Sequence, residues 1–433
     1  MPKPFLFAGL TAAVLALSML SACANSGASA GGPPMISSAD FEAALQMGDI
    51  AVVRRAAAGG DRAQAALASG TLAAWFREDD VAGARLTRAA HDPLLSDALR
   101  RCALLTLSGL RLRQGRYSDA VAALDLALPG LTNGDERRDL EQSRAFAAAL
   151  TDVEPMQASV PSTGFVQLSR DLAGLNRGPV TVNDGMVDAI IDTGSAVSTI
   201  SESNARRLGL RMLDRQVSVG TATSASAAAT LAVADRLSFG GAQFRNVVFL
   251  VMPDAALTFA NGAYVVHAII GLPILLELGR ITYTTTGTEA LSFTHTGAHP
   301  STASNLIVDG DAAYTSARIE GSATPARLFI DNGATTSHLN ERFVAGFPTL
   351  MASAHRASVT RTGGAGSETQ DALKLPRLVL GLGQASATIT DIDVIEDHQL
   401  DRHGDLGLDA LRTAPSYVFD FEAMRFELRG QAQ

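Results

Sequence analysis

Between Ser38 and about Asp152, alanine and leucine recur at helical spacing, broken at Gly59-Gly60, Asp92-Pro93 and Asn133-Gly134. That period predicts an all-helical domain over residues 38–152. After Pro155 and Pro161 the texture changes to β-branched runs, Gly and Thr, and short alternations such as Val180-Thr181-Val182. Residues from about 160 to 433 are therefore expected to be mostly β. Ahead of both lies an apolar run from Phe5 to Leu20 with Lys3 before it and small residues before Cys23. It reads as a secretion signal over residues 1–22, too short and wrongly flanked for a lasting span. Residues 23–37, with Gly31, Gly32, Pro33 and Pro34, have the small and polar composition of a flexible spacer.

The β region repeats itself. Ala189-Ile190-Ile191 leads into Asp192-Thr193-Gly194-Ser195, and Leu328-Phe329-Ile330 leads into Asp331-Asn332-Gly333-Ala334, 139 residues later. Each apolar run predicts a buried strand that ends at the Asp. Ser198, Ile200 and Ser201 then match Ser337, Leu339 and Asn340. Further on, Ile269-Ile270-Gly271 and Asp405-Leu406-Gly407 place their glycines 79 and 76 residues after the respective Asp. Two strand pairs, Ile281 to Phe293 and Tyr417 to Leu428, close the two copies. A duplicated unit divides the region into residues 160–300 and 301–433.

Asp, a small hydroxylic residue and Gly in succession suit a strand that turns sharply into a loop, where glycine admits close approach of another chain. The Thr193 hydroxyl can bond backbone across an interface between the copies. Two such loops meeting at a pseudo-twofold axis would bring the carboxylates to about 3 Å, where both cannot be ionised and one proton is shared. Such a pair activates a water with its ionised member and hydrogen-bonds a peptide carbonyl with its protonated member. This chemistry calls for no metal and no cofactor.

The pattern resembles the retropepsin and pepsin superfamily of aspartic proteases over roughly residues 165–430. The resemblance implies a bilobal acid-protease fold with Asp192 and Asp331 catalytic, and Thr193, Gly194, Ser195, Asn332, Gly333, Ala334, Gly271 and Gly407 supporting the loops. It also implies a hairpin flap, with Val217 to Leu231 and Val359 to Leu373 as candidates, the latter holding Gly363-Gly364 and Gly366. Two departures stand out. Asn332 replaces the usual Thr or Ser, and the first candidate flap has no tyrosine. Ser195 faces Ala334 in the other copy, so a Ser195 hydroxyl donating to Asp192 is expected to leave the shared proton mainly on Asp331.

Within the helical stretch, Gly115-Arg116-Tyr117 with Ala120, Leu124, Ala127 and Leu128 resembles the second half of a tetratricopeptide repeat. One unit alone leaves two readings open, a docking surface for a protein partner or a plain bundle that spaces the rest. Leu20-Ser21-Ala22-Cys23 resembles the bacterial lipobox, which implies a lipid on Cys23 and a membrane anchor. With Ala24 rather than Asp next, that resemblance implies the outer membrane of a Gram-negative bacterium and a periplasmic protein.

With 47% hydrophobic residues in 433, the chain can bury several cores. Cys102, in an Ala and Leu run, is the one cysteine besides Cys23 and reads as a small buried hydrophobe. A net charge of −9 argues against nucleic acid as a partner. Among the eight histidines, His398 and His403 lie near Asp401 and Asp405, but without a His-Glu-x-x-His they read as loop residues. No nucleophile elbow is present, and no Lys follows the glycines at 363–366 in the place a phosphate loop needs. Two functions remain: an aspartic endopeptidase acting on peptide or protein without needing a homodimer, or an inactive peptide- or envelope-binding protein on the same fold.

Overall fold

The computed structural model describes residues 36–430 except 60, 132, 221–225, 364–365 and 397–400. The segment expected as a signal and most of that expected as a spacer, with Cys23 as the expected lipidation site, lie outside the described residues, as does His398.

Seven α-helices occupy Ser38–Ala149 among the described residues. Their ends follow local chemistry. Asp49, Asp61, Ser96 and Asn133 each cap a helix by accepting a backbone N–H two or three residues on, and Gly59 ends the helix Ile50–Ala58. Gly115 turns the chain between Asp97–Arg113 and Tyr117–Ala127 at φ +67°, where a Cβ would lie 2.8 Å from Pro155 Cα. Ala120, Leu124 and Ala127 are buried along one face of the second helix. Cys102 is buried too, and its thiol is pushed up to about 12 by burial, so it packs as a hydrophobe.

The rest is β-rich, and the two copies have the same strand pairings. In the first, Ala242–Met252 runs parallel to Ser198–Ser201, which lies antiparallel to Ala268–Ile270, itself parallel to Gly185–Ile191. Asn176–Val182 and Ser226–Phe239 continue the order, and the latter pairs back onto Ala242–Met252 to close a six-stranded barrel. The second closes the same ring through Ala385–Val394, His338–Leu339, Gly404–Leu406, Ala326–Ile330, Ala312–Ile319 and Gly366–Leu382. Closure leaves few free edges for unwanted pairing. In each barrel one long strand also forms a hairpin, Arg211–Gly220 with Ser226–Phe239 and His355–Gly363 with Gly366–Leu382. These are the two candidate flap segments.

A separate five-stranded sheet ties the copies together. Its order is Thr163–Gln167, Ala290–Thr294, Arg280–Thr284, Ser416–Asp420 and Arg425–Arg429, with Arg280–Thr284 antiparallel to Ser416–Asp420 at the junction. The helices are not a detached module either. One cluster of buried side chains runs from Phe41 to Leu428. Arg77 donates to the Leu276 carbonyl at 2.6 Å, Arg327 to that of Gln46 at 2.9 Å and Arg215 to that of Ala149 at 2.8 Å. At Gly109 the backbone of the turn at Gly310 comes so near that an added Cβ would sit 2.8 Å from it.

Candidate active site

Strands Gly185–Ile191 and Ala326–Ile330 end side by side in the interior, and each hands the chain to an Asp. Their placements match bond for bond. The Asp192 amide donates to the Ile270 carbonyl and the Asp331 amide to that of Leu406, each at 3.0 Å. Gly194 N–H donates to Asp192 Oδ1 at 2.7 Å, and Gly333 N–H to Asp331 Oδ1 at 2.9 Å. Such bonds fix both carboxylates against their own loops.

The glycines explain themselves across the interface. A Cβ on Gly194 would fall 2.4 Å from Asp331 Oδ1, and a Cβ on Gly333 would fall 2.3 Å from the Asp192 carboxyl. Each loop therefore lies directly over the other copy's carboxyl group. No larger residue fits at either position without displacing the pair.

Thr193 and Asn332 interlock beneath. Thr193 Oγ1 donates to the Ile330 carbonyl at 2.9 Å, and accepts the Asn332 amide at 3.2 Å. In return Asn332 Oδ1 accepts the Thr193 amide at 2.7 Å, the acceptor duty a second hydroxyl would have had. Asn332 Nδ2 turns to the Tyr417 hydroxyl at 3.5 Å, which also receives Asn176 Nδ2 at 3.2 Å. Arg412 completes the layer, donating to Asn176 Oδ1 at 2.8 Å and to the Gly174 carbonyl at 2.6 Å. Tyr283 stacks on Tyr417 with centroids 4.7 Å apart.

Gly271 and Gly407 hold the loops from behind. Their amides donate to Ser198 Oγ at 3.1 Å and Ser337 Oγ at 2.9 Å. The following amides, Leu272 and Leu408, donate to the carbonyls of Ser195 and Ala334. A Cβ at either glycine would lie 2.5 Å from loop backbone.

Electrostatically the two carboxyls differ. Both are essentially buried, at 1% and 2% exposure, and burial pushes both above the ordinary carboxylate range. Asp192 is relieved by backbone hydrogen bonds from Gly194, Gly333 and Ser195 and by one shared with Asp331. Asp331 is raised further by the charges of Asp192 and Asp405 and donates the shared bond. Among the described residues Asp192 Oδ2 meets no hydrogen-bond partner. Of the two, Asp331 is therefore the more strongly pushed toward its protonated form.

The expected cause of that weighting needs correction. The Ser195 hydroxyl donates to the Val197 carbonyl at 2.8 Å and not to Asp192, because the loop bends back after Ser195. The Ser195 backbone amide helps Asp192 instead. Asp405, whose counterpart in the first copy is Ile269, is the larger asymmetry. Arg402 grips Asp405 through two nitrogens and reaches Asp401 at 3.5 Å, while His338 Nε2 lies 3.6 Å from Asp405. His403 accepts the Arg327 amide on Nδ1, and burial pushes it down to about 4. No group of three or more His, Cys, Asp or Glu side chains suited to a metal occurs among the described residues.

Residues missed in the sequence include Tyr417, Asn176, Arg412 and Arg402. Tyr417 is one more aromatic in a strand by sequence, and Arg412 acts through contacts 238 and 236 residues away. The cue for Arg402 was present: charge at 401–405 where the first copy has an apolar run.

Residues 178–274, which include Asp192 and Gly271, match the family model described as aspartyl protease. Asp331 and the second barrel lie beyond the matched span. Among solved structures, a retropepsin-like aspartic protease from Rickettsia conorii matches at 15% identity and a TM-score of 0.23, covering 33% of this chain and 98% of that one. No curated protein matches.

Proposed function

We propose that the chain is a single-chain, bilobal aspartic endopeptidase with Asp192 and Asp331 as its catalytic pair. One observation carries the reading: each loop glycine sits over the other copy's carboxyl, which brings two buried acids close enough to share one proton. Ionised Asp192 takes a proton from a water held between the acids as its oxygen bonds to the peptide carbonyl carbon. Protonated Asp331 hydrogen-bonds the carbonyl oxygen, which becomes a hydroxyl. A proton then passes from the pair to the amide nitrogen, the C–N bond breaks, and acid and amine leave. The two hairpins are suited to cover an extended peptide from either side.

A binding protein would have no use for two adjoining buried acids, each desolvated at a cost to stability. The interlocked Thr193 and Asn332 also argue that Asn332 serves as a working substitute for the hydroxyl. Because both loops belong to one chain, the proposed site is complete in a monomer. The N-terminal signal, Cys23 lipid and spacer would tether the enzyme at the periplasmic face of an outer membrane, with the helices as a tetratricopeptide-like flank.

The test is cleavage of a mixed peptide library by the full chain, with and without pepstatin, beside Asp192→Asn. Cleavage that stops in both cases is expected. Cleavage unaffected by Asp192→Asn, or peptide binding with no cleavage across the acidic and neutral range, would overturn the reading.

A further inference from the structure

A cavity of about 130 Å³ lies where the helices meet the first barrel. Leu112, Leu150, Met156, Val247, Val197 and Leu272 are among its lining residues. Water needs roughly 10–15 Å³ of such space per molecule, so there is room for roughly ten non-hydrogen atoms. Apolar spaces of this kind at junctions between structural units are where small ligands bind.

Three charged residues border it: Arg113, Glu277 and Asp311. Arg113 is engaged with Asp79, the Ala74 carbonyl and the Gly310 carbonyl, and its Nε is sealed off. Glu277 is paired with Arg77 at 2.9 Å. Asp311 differs. No ion pair holds it among the described residues; its own backbone amide is the donor that acts on its carboxyl, and the nearby charges are those of Asp309 and Asp401, both negative. The residue keeps accessible surface while lining the cavity, yet protein crowds it enough to hold its carboxyl well above the usual range.

We propose that this cavity binds a primary amine with a straight apolar tail, the ammonium on Asp311 and the tail among Leu112, Leu150, Met156 and Val247. An anion would meet two carboxyls and a cation already engaged. A neutral tail would leave Asp311 as it is, whereas an ammonium favours its ionised form and pairs with it. The size suits an amine of about octyl length. Such a ligand also touches Val197, just behind the Asp192 loop. The inference stands apart from the peptidase reading, because binding is measured directly.

The experiment is calorimetric titration of the full chain near neutral pH with n-octylamine, octanoate and 1-octanol. Octylamine is expected to bind about ten-fold or more tightly than either, as a charge-assisted bond beside an apolar wall should give. Asp311→Asn should remove that preference, and Val247→Phe, which fills the space, should weaken octylamine. Equal or tighter binding of octanoate or octanol, no binding of octylamine, or an amine preference that survives Asp311→Asn would each overturn the proposal. Should Asp311→Asn fail to fold, the ranking on the unaltered protein and the Val247→Phe result still decide it.

Discussion

The two barrels share a strand order and a loop geometry but not an interior. Behind Asp192 the supporting strand reads Ala268-Ile269-Ile270, wholly buried and apolar. Behind Asp331 the equivalent strand reads Gly404-Asp405-Leu406, and Asp405 is clamped by Arg402, which also lies against the Phe329 ring at 5.1 Å. Backbone pairing is therefore common to both copies while the charge around each acid is not. The lesson is that a symmetric frame can hold an asymmetric proton: Asp331 sits near an extra carboxylate, and Asp192 near only its partner and donated N–H groups.

Several measurements would break or sharpen that comparison. The largest effect is expected from Asp192→Asn and Asp331→Asn. Each removes one member of the pair, and peptide cleavage by initial rate should fall by about 10²–10⁴-fold or more. If either variant kept full activity, the copies would not act as a unit.

Next come Gly194→Ala and Gly333→Ala, which force a methyl into the opposite carboxyl. Each should abolish cleavage and cost about 1–3 kcal/mol in chemical denaturation, with similar losses on both sides. Unequal losses would show that one loop yields more readily than the other.

Asn332 distinguishes the copies more finely. Asn332→Ala leaves the buried Thr193 amide without its acceptor and should cost about 1–3 kcal/mol. Asn332→Thr restores an acceptor hydroxyl and should cost less, although it gives up the bond to Tyr417. A larger loss for Thr than for Ala would show that the Tyr417 layer, and not the Thr193 contact, is what Asn332 serves.

The pH dependence gives the smallest effect and the most direct readout of asymmetry. Activity should fall at low pH as Asp192 takes up a proton and at high pH as Asp331 loses one, so the optimum lies above the ordinary carboxylate range. Asp405→Asn removes a charge that raises Asp331, and should move the alkaline limb of the rate profile to lower pH with little change at the optimum. An unmoved limb would mean that Arg402 neutralises Asp405 fully. Stability carries the same sign. Both folded-state pKa values are raised, so the pair favours the fold at pH below the unfolded carboxyl value. That stability is lost as pH rises through the folded values. Thermal melts of Asp331→Asn should accordingly be less sensitive to rising pH than those of the unaltered chain.

Much of this could be read along the chain because local and repeated signals were strong. The helical period, the breaks at Gly59, Asp92-Pro93 and Asn133-Gly134, and the switch to β texture after Pro161 correspond to the helices and barrels described. Ser198 and Ser337, matched by spacing, carry the same bond to Gly271 and Gly407. Ser195 is the instructive failure. Its hydroxyl is adjacent in sequence to the acid, but one bend of the loop sends it to Val197.

The sequence by itself determined that two like units exist, where each turns, and which residue types stand at each turn, because strands, turns and glycine requirements are set within a few residues. Only the tertiary structure decided that the loops of Asp192 and Asp331 lie against each other and that the charge of Asp405, held by Arg402, acts on Asp331. It also decided that Asn332 reaches Tyr417, and that Asp311 borders a cavity between the helices and the first barrel. Those facts depend on groups far apart in the chain, brought together by burial of a common core, where short distance and poor solvation make each charge felt by the next.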